Sequence, residues 1–176
     1  MMWYKGIHII LDGLKKATDR QLDFRMVFVG GGTDFEEIRK EVTKLGLSEY
    51  CVFTGPVNDR PKIAGLFSMA DLFLFPSTYD TNGIVVREAA ACGLPSVLIR
   101  GSCAAEDITD GRNGILIDED ADALATAVVS AYAHRDALRM IGEHAMDEIY
   151  LSWEDSIKAA VGRYDIVLND YRRGKY

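Results

Sequence analysis

The residues with the most chemistry to offer lie between Ser77 and Glu88. Ser77-Thr78-Tyr79-Asp80-Thr81-Asn82-Gly83 places hydroxyls, a carboxylate, an amide and a glycine just ahead of an apolar run, Ile84-Val85-Val86-Arg87-Glu88-Ala89-Ala90-Ala91-Cys92. If that run is a helix, its first turn presents unsatisfied N–H groups and the positive end of the helix dipole, which together attract an anion such as phosphate. Gly83 would let the backbone come close to a bulky phosphate. Apart from Arg87 and Glu88 the helix is apolar on nearly every face, so burial between a sheet and its neighbours is expected. A carboxylate there needs a partner, because an unpaired buried charge is very costly. Ligand hydroxyls, Arg87 or Arg100, or a place at the solvent end of the helix would each satisfy Glu88. Asp80 has two readings as well: it caps the helix or braces the turn, or it touches a ligand.

Other signals are weaker alone. Gly30-Gly31-Gly32 follows a strand-like run and could cradle phosphate, yet it lacks the G-x-G-x-x-G spacing and the acidic residue a dinucleotide site requires. A tight strand-to-helix turn explains it equally well. Lys5 is a lone cation. The three cysteines (Cys51, Cys92, Cys103) and three histidines (His8, His134, His144) show no zinc spacing, and Cys103 sits in no nucleophile elbow. No metal site is expected, and the cysteines are read as reduced thiols of a cytoplasmic protein.

These loops need elements to hold them. Apolar spacing predicts helices over 7–17, 34–46, 60–70, 83–92, 121–133, 136–150 and 153–172, the last capped by Ser152 with Asp155 three residues on. Short β-rich runs predict strands over 24–29, 51–55, 71–75, 95–99 and 115–117. Strands alternating with helices argue for βαβ units, hence an α/β fold with one parallel sheet, helices on both faces and right-handed crossovers. Ligands of such sheets bind beyond the carboxyl ends of the strands, which selects the loops at 30–33, 55–59, 76–83 and 100–107. Residues 1–176 are expected to form a single domain. The chain starts on a helix where such folds start on a strand, so a first strand is expected upstream, in a longer parent protein.

With 176 residues, 48% of them hydrophobic and 27% charged, the chain has the composition of an ordinary globular domain. A formal charge of −7 argues against nucleic acid as a partner. No apolar run approaches the roughly 20 residues that span a bilayer, and no signal peptide is recognised.

Taken in order, the landmarks resemble family 4 retaining glycosyltransferases. Pro76-Ser77, Asp80 and Gly83 to Pro95 resemble the family's donor signature: an acidic residue, seven residues, Glu, an Ala-rich helix and Gly-x-Pro. Lys5-Gly6, Val29 to Gly32, Val52 to Val57, Glu106, Asp110 to Gly114 and Ser152-Trp153 follow in family order. The resemblance covers essentially the whole chain. It implies the nucleotide-sugar-binding C-terminal half of a GT-B enzyme, a Rossmann-like three-layer α/β/α domain. It assigns Asp80 to the donor sugar, Glu88 to the ribose hydroxyls and Lys5 to the pyrophosphate, an electrostatic role as the leaving group departs. Thr81 and the amides of Asn82, Gly83 and Ile84 would hold sugar and pyrophosphate, with Gly31 in the glycine loop and Val57-Asn58 near the base.

Three departures stand out. The first acid is Asp rather than Glu, the arginine ahead of the lysine is absent, and Asn82 replaces an aromatic residue. The last gives Asp80-Thr81-Asn82-Gly83 some likeness to the Glu-Thr-Gln-Gly of certain glycolipid-forming members. The implied activity is metal-independent hexosyl transfer in glycan biosynthesis, with no cofactor beyond a UDP- or GDP-linked donor, UDP-hexose ahead of GDP-hexose, and a saccharide or lipid acceptor. An N-terminal acceptor domain of the parent would be the partner, and any peripheral membrane association would belong to that parent. The chain alone is expected to bind donor and transfer little or nothing. A GT-B epimerase or phosphorylase and a non-enzymatic assembly module are the rival readings.

Overall fold

In a computed structural model, residues 1–175 are described, and helices alternate with strands as the spacing predicts. The order is α1 (Ile7–Asp19), β1 (Met26–Val29), α2 (Phe35–Lys44), β2 (Cys51–Gly55), α3 (Arg60–Met69), β3 (Phe73–Phe75), α4 (Ile84–Ala91), β4 (Ser96–Ile99), β5 (Ile115–Ile117), α5 (Ala121–Ala133), α6 (Arg135–Glu148) and α7 (Trp153–Arg172). Single 3-10 turns at Trp3–Lys5 and Cys103–Ala105 complete it. Caps account for three helix starts. Asp59 accepts from the Lys62 amide, Asp120 from the Ala123 amide and Ser152 from the Asp155 amide.

All strand pairings are parallel. In β4 the side chains alternate between two cores. Val97 and Ile99 pack with Ile7, Ile10 and Leu14 of α1 and Leu124 of α5, while Leu98 packs with Val86 of α4 and with Ala104 and Ala105. Helices therefore cover both faces, and β4 is buried along its whole length, as a central parallel strand should be. On the first of these faces α1 and α5 come so close that a Cβ on Gly13 would lie 2.5 Å from Leu124.

The structure departs from the sequence reading in two respects. The expected single sheet is two, β1–β2 and β3–β4–β5, because the facing edges of β1 and β3 border a cavity instead of each other. Helix α4 is buried on one face only: Val86, Ala89 and Ala90 are inside, whereas Ile84 is exposed and Arg87 and Glu88 half-buried. At the start of α4 Gly83 is buried while Ile84 beside it is exposed.

Candidate functional site

The site is built where two loops meet. Gly6 has a left-handed φ of 73°, and a Cβ at that position would lie 2.0 Å from the Pro76 carbonyl oxygen. Only glycine permits this approach. It presses the turn before α1 against the loop after β3. Two further ties hold the same turn. The Trp3 amide donates to Asp34 at 2.9 Å, fastening it beside the glycine loop, and Tyr4 meets Tyr79 edge-to-face with ring centroids 5.6 Å apart.

Lys5 and Asp80 are thereby brought together from opposite sides. The Lys5 ammonium donates to Asp80 Oδ1 at 2.8 Å, and the buried Ser77 hydroxyl donates to Oδ2 at 2.5 Å. Burial pushes the Asp80 carboxyl up, but the hydrogen bonds from Lys5 and Ser77 and the lysine's charge outweigh it. The carboxyl is held below its ordinary range. Asp80 does not cap α4. That place belongs to Gly83, in a left-handed conformation (φ 55°) and without any side-chain cap; its carbonyl accepts from the Val86 amide, which leaves the Ile84 and Val85 amides to other acceptors. Gly83 itself is accounted for by packing, since a Cβ there would stand 2.7 Å from Ala104.

Glu88 lies one helical turn further on, and its partner is neither Arg87 nor Arg100. Arg60, the first residue of α3, donates to it. Arg87 is engaged by Asp107 and the Ile149 carbonyl, and Arg100 by Asp110 and the Leu116 carbonyl. Nothing in the motif pointed to Arg60, and a cation just after a helix cap is too common to have been singled out. Ser77 stood in the loop, but its burial and its bond to Asp80 come from the fold alone.

Of the residues singled out in the sequence, Lys5, Gly31, Val57 and Glu88 line one cavity, and Asp80 joins them through Lys5. Thr81, Asn82 and Ile84 are exposed beside buried Gly83, and neither they nor Asn58, also exposed, line the cavity. Together the arrangement offers a cation paired with one carboxylate, a second carboxylate on the same cavity, and open amides at the start of α4 between the two acids in the chain. Such a set can bind a phosphorylated, polyhydroxylated ligand. The three cysteines are free, and burial raises the Cys51 thiol to about 11, which keeps it protonated and unreactive. No described helix is long and apolar enough to cross a membrane.

The chain is similar in sequence and in fold to known proteins. The chain is 33% identical over 132 residues to a GDP-mannose-dependent alpha-(1-6)-phosphatidylinositol monomannoside mannosyltransferase of Mycolicibacterium smegmatis, covering 70% of this chain and 34% of the relative. The crystal structure of HepE of Anabaena in complex with UDP superposes with a TM-score of 0.73 at 27% identity, over 84% of this chain and 41% of that one. The crystallised C-terminal domain of a glycosyl transferase group 1 family protein of Francisella tularensis shares the fold, with a TM-score of 0.76 at 19% identity, over 85% of this chain and 80% of that domain. The chain thus spans well under half the length of the curated relative. The family described as Glycosyl transferases group 1 matches residues 1–147, and the chain belongs to that family.

Proposed function

We propose that the chain is the donor-binding half of a retaining glycosyltransferase, holding a nucleotide-diphosphate hexose for transfer to a saccharide or lipid acceptor. The observation that carries this reading is the Lys5–Asp80 pair, whose lysine lines the same cavity as Glu88. In this reading Asp80 contacts the donor sugar and Lys5 the pyrophosphate, while Glu88 takes the ribose hydroxyls. Thr81 and the amides of Asn82, Gly83 and Ile84 hold the sugar and phosphates, Gly31 flanks the pyrophosphate, and Val57 and Asn58 border the base. The bond between the sugar's anomeric carbon and the phosphate oxygen breaks as the acceptor oxygen attacks from the same face. The acceptor's proton passes to the departing phosphate. Lys5 offsets the charge that grows there and transfers no proton.

Donor binding then exchanges ion pairs. Glu88 leaves Arg60 for the ribose, and Lys5 shares itself between Asp80 and pyrophosphate. The first exchange is cheap, because exposed pairs of the Arg60–Glu88 kind contribute only about 0–1 kcal/mol. The names of the relatives support both nucleotides, GDP-mannose in one and UDP in the other. The acceptor face and the rest of the cleft are assigned to an N-terminal domain of the parent protein, so the chain alone is expected to bind donor without transferring it.

Calorimetry with UDP, GDP and ADP tests the proposal. Binding of UDP or GDP is expected, and Glu88→Ala should weaken it at least about tenfold, the worth of hydrogen bonds to a charged group. No binding of any nucleotide at millimolar concentration, or unchanged binding in Glu88→Ala, would refute it.

A further inference from the structure

Helix α7 carries large apolar side chains that the rest of the chain leaves uncovered. None of its residues is buried, and Ile157, Val161, Tyr164, Leu168 and Tyr171 are all exposed. Their spacing is regular. Val161 and Leu168 stand seven residues apart, and Ile157, Tyr164 and Tyr171 repeat at the same interval, so the two series alternate in steps of four and three. That is the heptad spacing of a seam between two helices, narrower than the apolar face by which a helix docks on a globular core. Val161 and Leu168 take the a positions of such a seam, and Ile157, Tyr164 and Tyr171 the d positions. The two flanks differ in kind. The e positions carry Lys158, Asp165 and Arg172, whereas the g positions carry Trp153, Ala160 and Val167.

The flanks choose the direction of a partner helix. In a parallel pair the e flank of one helix meets the g flank of the other, which would set the three charges against Trp153, Ala160 and Val167. Reversing one helix brings e against e and g against g, so charge meets charge and apolar meets apolar. The register follows as well. When two copies of Trp153–Arg172 overlap over their full length, Ile157 meets the second copy's Leu168, Val161 meets its Tyr164, and Lys158 stands opposite its Asp165. A two-fold axis repeats each of these contacts. Sliding one copy by a heptad sets Lys158 against Arg172 and Asp165 against itself, or Lys158 against Lys158, and like charges then repel. Within its own chain Lys158 holds Glu154 at 2.8 Å, while Asp165 makes no ion pair among the described residues. The stripes of two copies offer on the order of 1,200 Å² of apolar surface, the low end of a specific interface. The reversed arrangement also leaves the two domains at opposite ends of a helix pair about 30 Å long.

We propose that α7 is a dimerisation helix, which pairs antiparallel with α7 of a second copy of this chain along the seam from Ile157 to Tyr171. Sedimentation velocity at micromolar concentration tests it with charge reversals on the exposed e flank. The parent chain is expected to sediment as a dimer. Lys158→Glu and Asp165→Lys, made separately, each place like charges opposite one another twice and should weaken self-association at least about tenfold. An equimolar mixture of the two variants should recover the dimer, because the two carboxylates of the first then face the two ammonium groups of the second. Leu168→Glu, which puts a charge in the seam itself, should leave a monomer. A parent chain that stays monomeric, single reversals that dimerise as well as the parent, or a mixture that associates no better than either variant alone would each overturn the proposal. Cover of the stripe by the chain's own domain would appear as the first of these. No nucleotide is present, so the outcome is separate from that of the calorimetry.

Discussion

Asp80 binds Lys5 through one carboxylate oxygen and Ser77 through the other, and this double engagement explains its acidity. A carboxyl whose folded pKa lies below its unfolded value adds stability that is present above the unfolded value, about 3.9, and lost as pH falls through the folded one. Asp80→Asn should thus lower the melting temperature near neutrality by up to about 3 °C, as a partly exposed pair allows. The difference from the parent chain should shrink as pH drops below the ordinary aspartate range. Thermal melts across pH 3 to 7 measure this, and a gap that persists at the acid end would show that the carboxylate's charge is not what stabilises the loop. At this scale the motif located both acids, and the burial of Ser77 and the presence of Arg60 decided whom they pair with.

Elements set the distance between Lys5 and Asp80, and Gly6 is where they touch. Gly6→Ala forces a side chain into the left-handed region and against the Pro76 carbonyl. The expected loss is about 2 kcal/mol, or about 4–8 °C in melting temperature. Nucleotide affinity should fall with it, since the turn bearing Lys5 must retreat from Asp80. A melt unchanged within 1 °C, by the same scaling about 0.5 kcal/mol or less, would mean that the two loops are free to part. The sequence showed Gly6 only as the neighbour of a lysine. Its real constraint is a residue seventy positions away, which no local pattern encodes.

For the whole molecule, α7 stands apart from the rest. None of its residues is buried, and Trp153, Ile157, Val161, Tyr164, Leu168 and Tyr171 follow one another along an exposed stripe at helical spacing. The Ser152 cap starts this helix without docking it. A chain ending at Tyr150 should therefore melt within about 2 °C of the full one, because no core is removed, and should self-associate less, because a large apolar stripe goes with the helix. Calorimetric melting and sedimentation check both outcomes. A large loss of stability would mean that α7 packs on the domain in solution.

Period and punctuation in the chain were enough to determine the helices and strands to within a few residues, their parallel arrangement, and the order of landmarks that identifies the family. Those properties are local: a helix or strand is specified by the spacing of its own apolar residues and by its own caps. The tertiary structure alone decided that Glu88 meets Arg60 and not Arg87 or Arg100, that Asp80 is a partner of Lys5 and no helix cap, and that the strands fall into two sheets around a cavity. Each of these depends on which distant backbones approach one another. That is settled when whole layers pack, through close contacts such as Gly6 on Pro76 and Gly83 on Ala104.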